Sequence, residues 1–254
     1  MNIRLAILFS ALSSFSFAQQ PPPTPNPAAN PAANPAVDLA KPQIKKLDES
    51  RYQIGEIIMD QKSREIRFPA KVNITEGLVE YLVCLQQGRI HEALLITEIA
   101  PIHLRIAFTL LRFPASNELF STLDETGHMT GIYPDVPLPV QAGARIAIDV
   151  EWNDKGTTHR KPINEWIQQS AKNTDMMAGP WLYTGSEIVD GKFIPACTGD
   201  LAAMIINPGA MINYPGSDND DNVWYAFSKR IPSKATPVTL IITPFYKPRP
   251  VPTP

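Results

Sequence analysis

The residues with the best claim to chemistry stand in the run Gly88-Arg89-Ile90-His91-Glu92-Ala93-Leu94-Leu95, where an imidazole and a carboxylate are neighbours at the mouth of an apolar segment. Histidine and carboxylates are the usual carriers of protons in catalysis. Adjacent residues of a strand point to opposite faces, however, so His91 and Glu92 are not expected to act together on one substrate atom. A carboxylate followed by Ala-Leu-Leu needs a partner if buried, and Arg105, Arg112 or a backbone donor would serve. Asp200, in Thr198-Gly199-Asp200-Leu201, is a further acid or base candidate. A hydrolase would draw on Glu92 with His91 or Asp200.

Other chemistries find less support. His91, Glu92 and His103 lie close in sequence, but there is no His-Glu-x-x-His and the spacing fits no zinc pattern, so no metal is expected. The loop Ser217-Asp218-Asn219-Asp220-Asp221-Asn222 begins like a calcium loop, then places Val223 where glycine belongs and Lys229 where the closing glutamate belongs. Turn formation by Asp and Asn explains the same residues. Thr184-Gly185-Ser186-Glu187 lacks the second glycine of a nucleophile elbow. Glycine-rich phosphate cradles are missing as well, and no cofactor is expected.

Cys84 sits in the apolar run Leu82-Val83-Cys84-Leu85, while Cys197 sits in the turn-like Pro195-Ala196-Cys197-Thr198-Gly199. Two inert thiols and one disulfide, Cys84 to Cys197, are both open; a redox pair is disfavoured because neither lies in Cys-x-x-Cys. The aromatic set Trp152, Trp166, Trp181, Tyr183 and Trp224 suits a core, with a carbohydrate or peptide groove as the alternative.

These residues must be held by strands. Arg51 to Met59 and Glu65 to Val72 flank the polar turn Asp60-Gln61-Lys62-Ser63 and predict a hairpin. Leu78 to Leu85 and Ile90 to Thr97, around Gln86-Gln87-Gly88-Arg89, predict a second. From Pro101 the period changes: Arg105, Thr109 and Arg112 form a polar stripe while Leu104, Ala107, Phe108 and Leu111 face the other way, predicting an amphipathic helix over 101–113 with proline in its first turn. Ala144 to Trp152 alternates as a half-buried strand, and Pro162 to Gln169 predicts a short second helix carrying Trp166. Trp181 to Val189, Leu201 to Asn207, Asn222 to Phe227 and Pro237 to Thr243 read as strands. The expected fold class is α+β, a predominantly antiparallel β-sheet domain with one main helix.

The ends of the chain speak to location. Arg4, the apolar run Leu5 to Phe17 and Ser16-Phe17-Ala18-Gln19 form a signal peptide pattern over 1–18, too short for a membrane span of ~30 Å. Export to the periplasm or the medium follows as an expectation. Residues 19–42 are rich in Pro, Ala and Asn and predict an extended linker. The globular domain is expected over 43–247, with a Pro-rich tail at 248–254. No later run is long and apolar enough to predict a transmembrane helix. With 23 basic and 25 acidic residues and no basic block, nucleic acid is excluded as an expected partner.

Several blocks resemble the YdjY-like domain of bacterial exported proteins: Ile54-Gly55-Glu56-Ile57-Ile58-Met59-Asp60, Leu78 to Val83 through Gly88 to Leu95, Gly179-Pro180-Trp181-Leu182-Tyr183-Thr184-Gly185-Ser186, and Gly191 to Ala196 with Thr198 to Leu201. The resemblance spans most of residues 50–243. It implies a domain without an established activity, and it directs attention to His91, Glu92, Ala93 and Leu94 and to Tyr183–Ser186. Gly185 and Ser186 would present backbone N–H groups to an anion or peptide carbonyl. An iron–sulfur cluster does not fit, since it needs about four thiolates and the chain has two cysteines. The expected function is non-catalytic binding of an envelope protein or glycan; the alternative is the hydrolase above.

Overall fold

Alternating burial organises the chain into strands, and the computed structural model describes residues 43–169, 174–177 and 179–245. The predicted signal peptide, linker and tail lie outside the described residues. The first four strands, β1 (Ile44–Lys46), β2 (Arg51–Ile54), β3 (Ile57–Asp60) and β4 (Glu65–Val72), form an antiparallel meander. The expected hairpin at Asp60–Ser63 is present, but Arg51 to Met59 is two strands. Gly55 turns the chain at φ +56°, and the ring of His103 fills the place a side chain would take, 2.5 Å from an ideal Cβ.

The expected second hairpin is not one. β5 (Tyr81–Leu85) and β6 (Ala93–Thr97) run parallel, with Tyr81 beside Ala93 and Leu85 beside Thr97. Residues 86–92 double back along β5 and end in a 3-10 turn, Ile90–Glu92. Parallel neighbours usually take a crossover of about a dozen residues or more, so the pattern of turn residues between two apolar runs pointed to the commoner solution.

Next comes α1 (Pro101–Leu110), with Pro101, Leu104, Ala107 and Phe108 buried as the period predicts. It ends before residue 113 because Arg112 turns left-handed at φ +58°. An irregular excursion leads to α2 (Leu138–Ala144), then β7 (Arg145–Asp154) and β8 (Thr157–Pro162). The expected helix at 162–169 is a 3-10 turn, Ile163–Trp166, followed by β9 (Ile167–Gln169), whose backbone is claimed by pairing. The remaining elements are β10 (Thr174–Asp175), β11 (Trp181–Tyr183), β12 (Ile188–Val189), β13 (Lys192–Phe193), α3 (Ile194–Thr198), β14 (Asp200–Ala203), β15 (Ile212–Asn213), β16 (Trp224–Ala226) and β17 (Pro237–Pro244).

The main sheet closes on itself in the order β4-β17-β7-β11-β15-β14-β5-β6 and back to β4. The architecture is therefore an eight-stranded β-barrel with extra strands, which corrects the α+β expectation: strand is 39% and helix 15%, so the one main helix is an accessory to the barrel. Closure rests on Lys71–Ile96 and Val72–Leu95 pairing between β4 and β6. It satisfies the free edges an open sheet would leave, at a contact that no local pattern encodes.

The barrel core is layered by register. Phe68, Leu240 and Val150 lie side by side on β4, β17 and β7, with Ile66, Ile242 and Ile148 two residues along. All six are buried, each contributing about 1.5–3 kcal/mol by leaving water. The three-stranded sheet β10-β9-β16 and the hairpin of β12 and β13 stand apart from the barrel path.

Candidate functional site

The corner where β5, β6 and β14 meet gathers most of the residues that the sequence singles out. Pairing between β5 and β14 slips twice, between Asp200 and Ala202 and between Ala202 and Ala203. Such bulges reset the alternation of side chains. They leave Tyr81 and Cys84, three residues apart, in one buried cluster with Ala93, Ala203 and Ala210. Gly199 ends α3 at φ +82° and lies against Gly88, while its carbonyl accepts from the Leu85 N–H at 2.7 Å. This close approach folds residues 86–92 back over the corner and brings Arg89 to Tyr81.

Asp200 is the centre. Its Oδ1 is 3.8 Å from Cys84 Sγ, and its Oδ2 accepts from Asn207 Nδ2 at 3.2 Å. The same Asn207 amide donates to the Tyr81 hydroxyl at 3.3 Å, which also accepts from Arg89 Nη1. Asn213 holds Asn207 in place, accepting its backbone N–H at 2.8 Å and donating to its carbonyl at 3.1 Å, and donates onward to Thr184 Oγ1 at 3.0 Å. One hydrogen-bonded chain thus runs from Asp200 to the strand end beside Tyr183.

Electrostatics follow from enclosure. Burial raises the Asp200 carboxyl above its ordinary range, against the opposing pull of the Arg89 guanidinium. Cys84 is pushed up to about 12, by burial first and by the Asp200 charge second. It is a thiol at neutral pH and a poor nucleophile. Burial likewise takes Tyr81 to about 12. Nearby, Glu80 is raised by burial and then by the charges of Glu92 and Asp221.

His91 and Glu92 do touch, with Nε2 and Oε1 3.3 Å apart, because they lie on a 3-10 turn where the expected strand would have set them back to back. Glu92 acts on Asp200 through its charge. His91, Glu92 and Asp200 are therefore brought to one corner, with Asp200 enclosed and His91 at the surface. Arg105, an expected partner for Glu92, lies instead over the ring of Phe193. Tyr81, Arg89 and Asn207 complete the cluster without having been singled out; Arg89 was inside the motif, whereas nothing local marks Asn207.

Tyr183, Gly185 and Ser186 occupy a second place. Tyr183 is buried and stacks on Phe108 of α1, ring centroids 3.9 Å apart. Of the two N–H groups expected to face a ligand, that of Gly185 donates to Met211 O at 3.0 Å and is engaged, and the Ser186 hydroxyl donates to Gly209 O at 2.9 Å. Cys84 and Cys197 are free, the first buried and the second exposed. Among the aromatic set Trp166, Trp181, Tyr183 and Trp224 are core, and Trp152 is half-buried. Asp218 of the acidic loop accepts from Gln169 and Tyr214, a turn and packing role.

A third region inverts this arrangement. Residues 121–133 form an arm in which Leu123 and Met129 are bridged antiparallel, closed by Thr122 N–H to Ile132 O at 2.8 Å and Thr130 N–H to Thr122 O at 2.9 Å. Asp124 ties the tip, accepting from the Thr126 and His128 N–H groups at 2.8 and 2.9 Å, and the Thr126 hydroxyl first, with these N–H groups, holds its carboxyl below the usual range. Leu123, Met129, Ile132 and Tyr133 are 60–81% exposed.

A family model described as YdjY domain matches residues 57–243. No curated protein and no solved structure matches the chain.

Proposed function

This chain belongs to the YdjY domain family, and we propose that it works as an exported, non-catalytic envelope domain that binds a protein partner through the arm at 121–133. The arm carries the reading: four large apolar side chains stand in water on a segment pinned by several of its own hydrogen bonds. Exposed apolar groups clustered on an ordered element mark interaction surfaces, and an element ordered beforehand loses less entropy on binding. The N-terminal signal pattern supports export, and the Pro-rich run after it suits a tether. The test is recovery of cross-linked partners from envelopes of cells expressing the full chain. One discrete adduct is expected, lost when Met129 and Ile132 are both replaced by Ser; an adduct indifferent to that change would contradict the arm.

Two other readings each have an observation behind them. A glycan partner is favoured by a cleft of about 330 Å³ lined in part by Trp152, Asp154, Lys229 and Thr236. A hydrolase using Glu92 with His91 or Asp200 is favoured by the raised Asp200 carboxyl beside Glu92. Loss of turnover in a folded Glu92→Gln protein would establish the hydrolase.

A further inference from the structure

The inner amino group of Arg105, Nη1, is buried and has no hydrogen-bond partner. Buried donors in native proteins are almost always paired, and one that is not calls for an unseen acceptor. Arg105 projects from α1 over the ring of Phe193, 5.1 Å from its centroid. One turn further on, Phe108 of the same helix stacks on Tyr183. The two aromatic contacts hold the guanidinium and the phenol at positions one turn apart along α1. The Tyr183 hydroxyl also makes no hydrogen bond among the described residues, and it feels the Arg105 charge, which opposes the rise that burial gives it.

Gly185 adjoins the phenol. A side chain at Gly185 would put its Cβ 3.7 Å from the Tyr183 hydroxyl and 2.9 Å from Ala115 Cβ, and Gly185 is already at φ +78°. The Gly185 N–H and the Ser186 hydroxyl are committed to Met211 and Gly209, so a ligand here relies chiefly on the Arg105 and Tyr183 side chains.

We propose that Arg105 and Tyr183 form a binding site for a small oxyanion, a carboxylate or a phosphate group, held between the guanidinium Nη1 and the phenol. An oxyanion accepts from both donors at once and neutralises a partly buried cation, which a water molecule does not. The site is independent of the arm, so either can fail without the other.

The experiment measures thermal unfolding and titration calorimetry of the mature protein with acetate and with inorganic phosphate, chloride replacing each at equal ionic strength. Saturable stabilisation is expected with at least one anion, and which one responds identifies carboxylate or phosphate as the source. Arg105→Met should weaken that binding by about tenfold or more and Tyr183→Phe by about tenfold, as loss of one hydrogen bond to a charged group implies. Met covers the apolar stem of Arg and removes the orphaned charge, so the variant is expected to fold; Arg105→Lys is the reserve if it does not. No response to either anion, which leaves Nη1 to a water, or an equal response in Arg105→Met, would overturn the site.

Discussion

The Asp200 corner and the 121–133 arm are opposites. In the corner a carboxyl, a thiol and a phenol are shut away from water and a half-buried amide joins them, each with a partner. On the arm, apolar side chains are held in water on a segment pinned by several backbone hydrogen bonds. Burying a polar group costs free energy unless its hydrogen bonds are made, so the corner is organised around satisfaction and reads as scaffold. Exposed apolar area forgoes the free energy of burial, which is recovered when a partner covers it. On the proposed reading, residue types that suggest catalysis mark the frame, and types that suggest a core mark the face offered outward.

The corner is most sensitive at its tightest point. Gly199→Ala places a Cβ 2.6 Å from Gly88 Cα on a backbone at φ +82°. Strain and overpacking together should cost about 3 kcal/mol, read as a lowered urea midpoint with unchanged slope. A midpoint within error of the parent would show that the loop 86–92 is not seated as described.

Next comes Asp200. Replacement by Ala leaves the Asn207 amide with the Tyr81 hydroxyl alone as acceptor and should cost roughly 1–3 kcal/mol. Replacement by Asn keeps an acceptor and removes the titration. Because burial raises the folded carboxyl above its ordinary value of 3.8, the folded state holds the proton more tightly than the unfolded one. Its contribution is therefore full below that value and falls away as pH climbs through the raised folded value. Stability of the parent should decline over that window and Asp200→Asn should decline less; Glu80, raised for the same reason, leaves a remainder. A steeper decline in Asp200→Asn would contradict the burial argument.

The smallest effect belongs to the arm. Leu123→Ser, Met129→Ser and Ile132→Ser should each change stability by no more than about 0.5 kcal/mol, since these side chains pack on little within the chain. A loss of several times that would make the arm part of the fold.

Much of the frame was legible because it is local. The alternation from Ile146 to Val150 named β7, and the stripe of Leu104, Ala107 and Phe108 named α1. Barrel closure was not legible, since it depends on Val72 meeting Leu95 after the chain has turned away and returned. Parallel pairing of β5 and β6 hid behind a run of turn residues. At the candidate site, His91, Glu92 and Asp200 were found by type, but their relation was not: a 3-10 turn joins the first two, and two bulges and a pair of facing glycines decide what surrounds the third. Asn207 carries no local signal because its role comes from Asn213 and from a chain reversal between them.

The most direct measurement places a photo-activated cross-linking residue at position 129 or at position 91 of the full chain and illuminates intact envelopes. The account predicts a discrete adduct from position 129, abolished by Ile132→Ser, and none from position 91. An adduct from position 91 with none from position 129 would move function to the Asp200 corner and contradict it.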